Sequence, residues 1–317
     1  MTFTKFVKNE LVTIPIQREE MVAEFLAFLN FGCEFHIENN KKMIDFITKN
    51  PTISKRFLML SKTLYQSDVE ILKQIKKTFS KKPLVILRLT SNVEQIIQDY
   101  DYLEEPVEKI VAKVRKKEEK IAFLRASFVV SGSINDPKSS EYHLEIFAEK
   151  TDEIIFIQKL MNEFNLNAKI TKRRKGYIVY LKNADSISDF MQLIGAINAV
   201  FKFEDIRIKK DFNNSINRII NCEIANEKKV VVSAENQLND INLILKHYKH
   251  LKIDEKILRI INLRKNNPNA NLRELCEIYF EKHQEKLSKS GLNHRFIKIK
   301  DMANKIREEK DDSWNRN

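Results

Sequence analysis

Glycine is scarce: five in 317 residues, and neither GxxxxGK nor GxGxxG occurs. Loops that cradle phosphates need glycine so that backbone N–H groups can approach the ligand, so ATP- and NAD-using enzymes fall in rank. Cysteine is scarce too. Cys33, Cys222 and Cys276 lie far apart with no CxxC pair, which argues against a disulfide framework or a zinc site and makes a reduced cytoplasm the default. No stretch supplies the ~20 uninterrupted apolar residues of a membrane helix. The opening "MTFTKFVKNELVTIPIQREE" carries acids and no apolar core, so it does not read as a signal peptide.

What the chain does have is positive charge. Lys and Arg number 56 against 44 Asp and Glu, a net charge of +12, and that balance favours a polyanionic partner. A Lys-rich composition throughout is the plainer account. The length allows two or three domains, each able to bury a core.

Reading the chain in blocks exposes a repeat. A helical pattern in "EEMVAEFLAFLNFG" leads to extended pieces at "CEFHIENN" and "KMIDFITK". A helix in "SKRFLMLSKTLYQ" follows, then strands in "VEILKQI" and "PLVILRLT" and a helix in "NVEQIIQDYDYL". The second block runs through "KIAFLRASFVVSG", a strand in "EYHLEIFA", a helix in "DEIIFIQKLMNEFN", strands in "NAKITKRR" and "GYIVYLK", and one helix in "SISDFMQLIGAINAVF". Apolar residues at i, i+3, i+4 mark the helices, and alternation or β-branched runs mark the strands. The halves, 1–103 and 121–211, share one order of elements. Between them, 104–120 reads as a charged connector helix. It is either a solvated face laced with ion pairs or a DNA contact through Lys113, Arg115, Lys116 and Lys117.

Residues 212–252 read as a polar junction leading into a linker helix, and 309–317 as a charged tail. Three short helical patterns fill 253–308. The first stops at Asn266-Asn267-Pro268. Asn271 is placed to cap the second, where Leu272, Leu275 and Ile278 form an apolar stripe. Ser288 or Ser290 caps the third, with Leu292, Phe296 and Ile299 facing inward. Two short helices followed by a basic third make a helix-turn-helix. Its candidate DNA contacts are Lys289, Ser290, Asn293, His294, Arg295 and Lys298. Helical spacing assigns base edges to Ser290, His294 and Arg295, and phosphates to Lys289 and Lys298. The plainer reading is a hydrophilic face of a small bundle.

The double block resembles the LAGLIDADG homing-endonuclease fold, in which two signature helices pack together and the sheets form a saddle over DNA. The resemblance implies a carboxylate at each helix end to hold divalent metal. In "LRASFVVSGSI" Ser131 stands in that place, and in "FLAFLNFGCEF" Phe31 or Gly32 does. None of these can hold Mg²⁺, so no metal, no cofactor and no cleavage are expected. With "NRIINCEIAN" (217–226) and "SKSGLNHR" added, the whole chain resembles the WhiA family. The fold expected is therefore α+β, a two-repeat LAGLIDADG-like saddle followed by an all-α helix-turn-helix domain. The resemblance implies a regulator of transcription that binds double-stranded DNA at the nucleoid and is linked to cell division, chromosome segregation and sporulation. A second regulatory protein is a further expected partner. The alternative is a nucleoid- or division-associated protein with mainly non-specific DNA binding. Accessory contacts are expected from Lys172, Arg173 and Arg174 at a strand turn. Arg218, with Asn217, Asn221 and Asn226, either clamps phosphates or belongs to an internally bonded linker.

Overall fold

Two helices that are apolar nearly all round sit at the centre of the first unit. They are α2 (Arg18–Gly32) and α5 (Lys117–Ser131). Residues 23–29 of α2 and 122–129 of α5 are buried without interruption, as befits helices with protein on every side. The two pack along each other. The computed structural model describes residues 1–38, 41–74, 84–100, 111–247 and 253–314 (backbone alone for 73–74 and 309–314). By its contacts the chain divides into residues 1–211 and 212–317.

After α2 the first half runs β1 (Cys33–Glu38), β2 (Lys41–Thr48), α3 (Pro51–Tyr65), β3 (Val69–Gln74), β4 (Leu84–Leu89) and α4 (Val93–Tyr100). After α5 the second half runs β5 (Gly132–Ile134), β6 (Leu144–Ala148), α6 (Thr151–Glu163), β7 (Lys169–Arg173), β8 (Gly176–Leu181) and α7 (Ala184–Leu193). Both sheets are antiparallel with the same order, β1-β2-β4-β3 and β5-β6-β8-β7. The duplication expected from the sequence is present, and the second half holds one strand more than was read there, the short β5 directly after α5. One face of each sheet is covered. Ile44, Phe46, Leu87 and Leu89 in the first, and Leu144, Ile146, Val179 and Leu181 in the second, join the core of α2 and α5.

Capping fixes where the helices start. Asn50 accepts from Thr52 N–H ahead of Pro51, and Asn183 accepts from Ser186 N–H. Glu119 reaches back to the N–H groups of Arg115 and Lys116, which starts α5 at Lys117. These are the N-terminal donors that a helix cannot satisfy itself.

Besides β5, the stretch read as a charged tail from 309 continues the last helix as far as Trp314, and four further features differ from the sequence reading. A helix at the N-terminus, α1 (Phe3–Leu11), buries Phe3, Val7 and Leu11; its single apolar row is too short to stand out. The connector pattern breaks at 114–116, and Lys117–Lys120 form the first turn of α5; residues 104–110 lie outside those described. "SISDFMQLIGAINAVF" is two helices, parted at Gly195, whose φ of +92° ends α7. The 212–252 junction is helical as far as Lys246, within α8 (Ile197–Lys246), 50 residues long; residues 248–252 are not described.

The second unit packs the end of α8 with α9 (Glu255–Asn266), α10 (Leu272–His283) and α11 (Lys289–Trp314). Ile241 and Ile244 of α8 meet Ile260 and Ile261 of α9, Leu275 and Tyr279 of α10, and Leu292, Phe296 and Ile299 of α11. Asn271 caps α10 by accepting from the N–H groups of Arg273 and Glu274. Ser288 caps α11 by accepting from Gly291 N–H at 3.0 Å.

Candidate nucleic-acid interface

The exposed side of α11 begins at its first turn. Leu292, Phe296 and Ile299 are buried, which turns Lys289, Ser290, Asn293, His294 and Lys298 outward. No acid lies on α11 before Asp301. A helix N-terminus offers N–H groups and positive potential to phosphate, and the short polar side chains around it suit base edges. Asn293 also lines a groove against α8 that holds Lys228, Lys229, Asn236 and Lys300.

Arg295 lies elsewhere. It is half-buried, its guanidinium sits 5.8 Å over the Tyr279 ring, and Nη1 is buried without a hydrogen-bond partner. The guanidinium expected to read a base therefore rests on α10. Helical spacing gives the direction of the Cα–Cβ bond, whereas a long side chain can fold back onto an aromatic neighbour.

The turn between α9 and α10 depends on Arg264, which the sequence reading did not single out. It is 2% exposed. Its Nε donates to Gln237 Oε1 at 2.9 Å, and its Nη1 donates to the carbonyl of Ala270 at 2.6 Å, with those of Asn267 and Pro268 at 3.3 and 3.4 Å. The guanidinium lies 5.4 Å over Phe296. Burial pulls its pKa down, and the carbonyls supply the compensation that a buried cation needs.

Strand alternation sorts the uncovered faces of the two sheets. In the first, Glu34, Glu38, Asp45 and Glu70 share a face with Lys41 and Arg88. Arg88 grips Asp45 with two bonds of 2.9 Å and reaches Glu38 at 3.1 Å. In the second, Lys169 and Arg173 share the outer face with Glu145, and Lys182 lies over Tyr180 on it. Glu145 is held by Ser133 Oγ, by His143 Nε2 at 3.0 Å and by Arg173 Nη2 at 3.3 Å. Burial opposes its charge, yet His143 and Arg173 keep the carboxyl below its usual range. The basic run expected at a strand turn is at the β7–β8 turn, but it is divided. Arg173 is paired with Glu145, Arg174 is exposed in the turn, and Lys172 alternates to the opposite face. Arg218 lies mid-helix in α8, exposed, as are Asn217, Asn221 and Asn226.

At the ends of the signature helices the residues are Gly32 and Ser131, each the last of its helix. Ser131 Oγ donates to Ser127 O at 3.1 Å. A Cβ at Gly32 would lie 2.6 Å from Phe46 Cε2 of β2 and 2.7 Å from Val130 Cγ1 of α5, so any side chain there would have to displace one or both. Between α2 and α5, buried Glu24 accepts from Arg56 Nε at 2.8 Å and Arg125 Nη1 at 3.2 Å. That carboxylate is neutralised by arginine in mid-helix, away from the helix ends. Among the described residues no three His, Cys, Asp or Glu converge to hold a metal ion, and no helix is long and apolar enough to cross a membrane.

Three family models match the chain in succession: the WhiA N-terminal LAGLIDADG-like domain over residues 18–103, the WhiA LAGLIDADG-like domain over 120–213, and the WhiA C-terminal HTH domain over 216–303. A probable cell division protein WhiA of Lactobacillus gasseri is 37% identical over 314 residues, covering 98% of this chain and 99% of that one. One of Enterococcus faecalis is 36% identical over 314 residues, with 97% and 99% covered. The crystal structure of full-length DUF199/WhiA from Thermatoga maritima matches with a TM-score of 0.58 at 25% identity, over 96% of this chain and 99% of that one.

Proposed function

The chain belongs to the WhiA family, and from that membership and the exposed face of α11 we propose that it is a DNA-binding regulator acting in cell division. The observation that carries this reading is the acid-free start of α11, with Lys289, Ser290, Asn293, His294 and Lys298 outward over a buried apolar row. In this reading Ser290, Asn293 and His294 meet base edges, while Lys289 and Lys298 meet phosphates. The finer roles, control of transcription, chromosome segregation and, in spore-formers, sporulation, belong to the same proposal. So do a second regulatory protein as partner and a place at the nucleoid.

Accessory phosphate contacts fall to the second sheet, through Arg174 with Lys169 and Lys182, because the first sheet presents carboxylates. Phosphodiester hydrolysis is not part of the proposal. Glycine and serine at the helix ends supply no oxygen ligand of the kind that metal-assisted cleavage requires. A second reading, mainly non-specific DNA binding, draws support from Arg295, whose inward guanidinium leaves few groups to discriminate bases. Genome-wide immunoprecipitation of bound DNA, with the specific-to-random affinity ratio of a recovered site, separates the two. A discrete set of enriched sites supports the regulator, and uniform coverage supports the alternative.

A further inference from the structure

α1 packs on α5, β5 and α3. Lys8 Nζ reaches the carbonyl of Val130 at the end of α5, at 3.5 Å, and Thr4 exchanges hydrogen bonds with the backbone of Ile134 in β5. Asn9 Oδ1 accepts from Asn50 and Thr52 at the start of α3. Exchanging the two halves of the duplication turns α5, β5 and α3 into α2, β1 and α6. Those elements border an open groove of about 540 Å³, and no described residue fills it. Phe31 there corresponds to Val130, Lys150 to Asn50 and Glu153 to Ile53, as the matching helix ends and N-caps require. One groove of the pair is occupied by a helix, and its counterpart is vacant.

The vacant groove is not a copy of the filled one. Its wall is apolar where Phe31, Ile47, Phe147 and Ala148 line it, and its rim carries Glu34 and Glu149, with Glu153 beneath, against the single cation Lys150. The C-terminal end of α2 opens into it, with no basic residue in the last turn of that helix, and a helix C-terminus adds negative potential. In the filled groove that potential meets the ammonium of Lys8. Glu153 is 4% exposed and stands where the other half has an isoleucine. Carboxylates around a helix C-terminus repel phosphate, which sets nucleic acid aside as the occupant.

We propose that this groove between α2, β1 and α6 receives a short amphipathic helix of a partner protein, seated as α1 is in the other half and bearing basic residues beside its apolar row. The proposal is independent of how α11 reads DNA. The apolar row meets Phe31 and Phe147, and an ammonium caps α2 between Glu34 and Glu149. The pairing of an acidic rim with a basic helix supplies orientation and discrimination, while the apolar wall supplies the buried area.

The test uses the full chain and a fluorescent peptide of residues 2–14 with Glu10→Lys, which keeps the Phe3, Val7 and Leu11 row and adds positive charge. Saturable anisotropy is expected at peptide concentrations below about 1 mM. Combined Glu34→Lys and Glu149→Lys, both exposed positions, are expected to weaken binding about tenfold or more, with the melting temperature retained as the check on folding. A control peptide with Lys5→Glu and Lys8→Glu is expected not to bind. No binding up to that concentration, or binding indifferent to the two substitutions, overturns the proposal. Displacement of the peptide by random duplex DNA overturns it in favour of nucleic acid. A dimer in sedimentation that those substitutions abolish overturns it in favour of a second copy of the chain.

Discussion

Gly32 joins two facts about the end of α2 in a single atom's worth of space. The position carries no ligand, and the Phe46 and Val130 side chains leave none room. Phe46 cannot give way freely, since its ring lies 4.5 Å from Phe57 and 5.3 Å from Phe28. Gly32→Asp, alone or with Ser131→Asp, is expected to cost roughly 1–3 kcal/mol in urea unfolding and to yield no cleavage of plasmid DNA in Mg²⁺ or Mn²⁺. Nicking by the double variant would show that the site is poised for metal despite its packing. A second residue, Glu153, gives a pH signature. Burial pushes its carboxyl up to about 7, against the favourable Lys150 charge and N–H. The folded chain then keeps a proton that the unfolded chain releases above about 4.5. Stability is expected to fall as pH rises from about 4.5 to 7 and to level off beyond. Glu153→Gln removes that slope. The variant is expected to be the more stable at pH 8, by an amount on the order of 2–3 kcal/mol at most, and equal to the parent near pH 4.5. Urea titrations across that range measure it, and parallel curves would contradict the assignment.

Among the elements, the α9–α10 turn has an internal strut. Arg264→Leu leaves the carbonyls of Asn267, Pro268 and Ala270 without their donor, and a loss of about 2–4 kcal/mol is expected, read as a lower melting temperature of the second unit by circular dichroism. α11 offers a matched pair of tests. His294→Ala, at an exposed position, is expected to cost roughly 1–3 kcal/mol on a specific site and little on random DNA. Arg295→Ala removes a stacked cation and is expected to lower both affinities alike. A collapse of the ratio in Arg295→Ala alone would mean that its guanidinium swings out on binding. Periodicity made α10 and α11 legible, and residue type pointed to the cap at Asn271 and narrowed that of α11 to Ser288 or Ser290, of which Ser288 serves. The signature helices were legible from their apolar runs and their Gly-Ser-Ile or Gly-Cys endings. What spacing could not convey was side-chain direction beyond Cβ, as at Arg295, or the strand parity that sends Lys172 and Arg173 to opposite faces. Nor could it convey the helicity of "NRIINCEIAN", since asparagine-rich sequence favours turns unless the rest of a helix carries it through. α1 escaped notice because only three of its residues are buried.

For the molecule as a whole, a net charge of +12 does not mean an evenly basic surface. Among the described residues, the first sheet's outer face is carboxylate-rich and the second's carries more lysine and arginine. Reversing Lys169 and Arg174 to glutamate is therefore expected to weaken binding to all sequences and to reduce the salt slope by about 1–2. Reversing Lys41 in the first sheet is expected to leave the slope unchanged. Equal effects from both sheets, in anisotropy titrations over a range of salt, would refute the division of labour.

That division has a geometric consequence. Two identical subunits must present the same face twice, and a duplex bound across their axis is read the same way from either end. A fused pair is released from that rule, and here the described outer faces of the two sheets have used the freedom, one richer in carboxylates and the other in lysine and arginine. Laid along a duplex, such a chain has a head and a tail. Its preferred sequences are then expected to be directional rather than palindromic, each site carrying an arrow as well as an address.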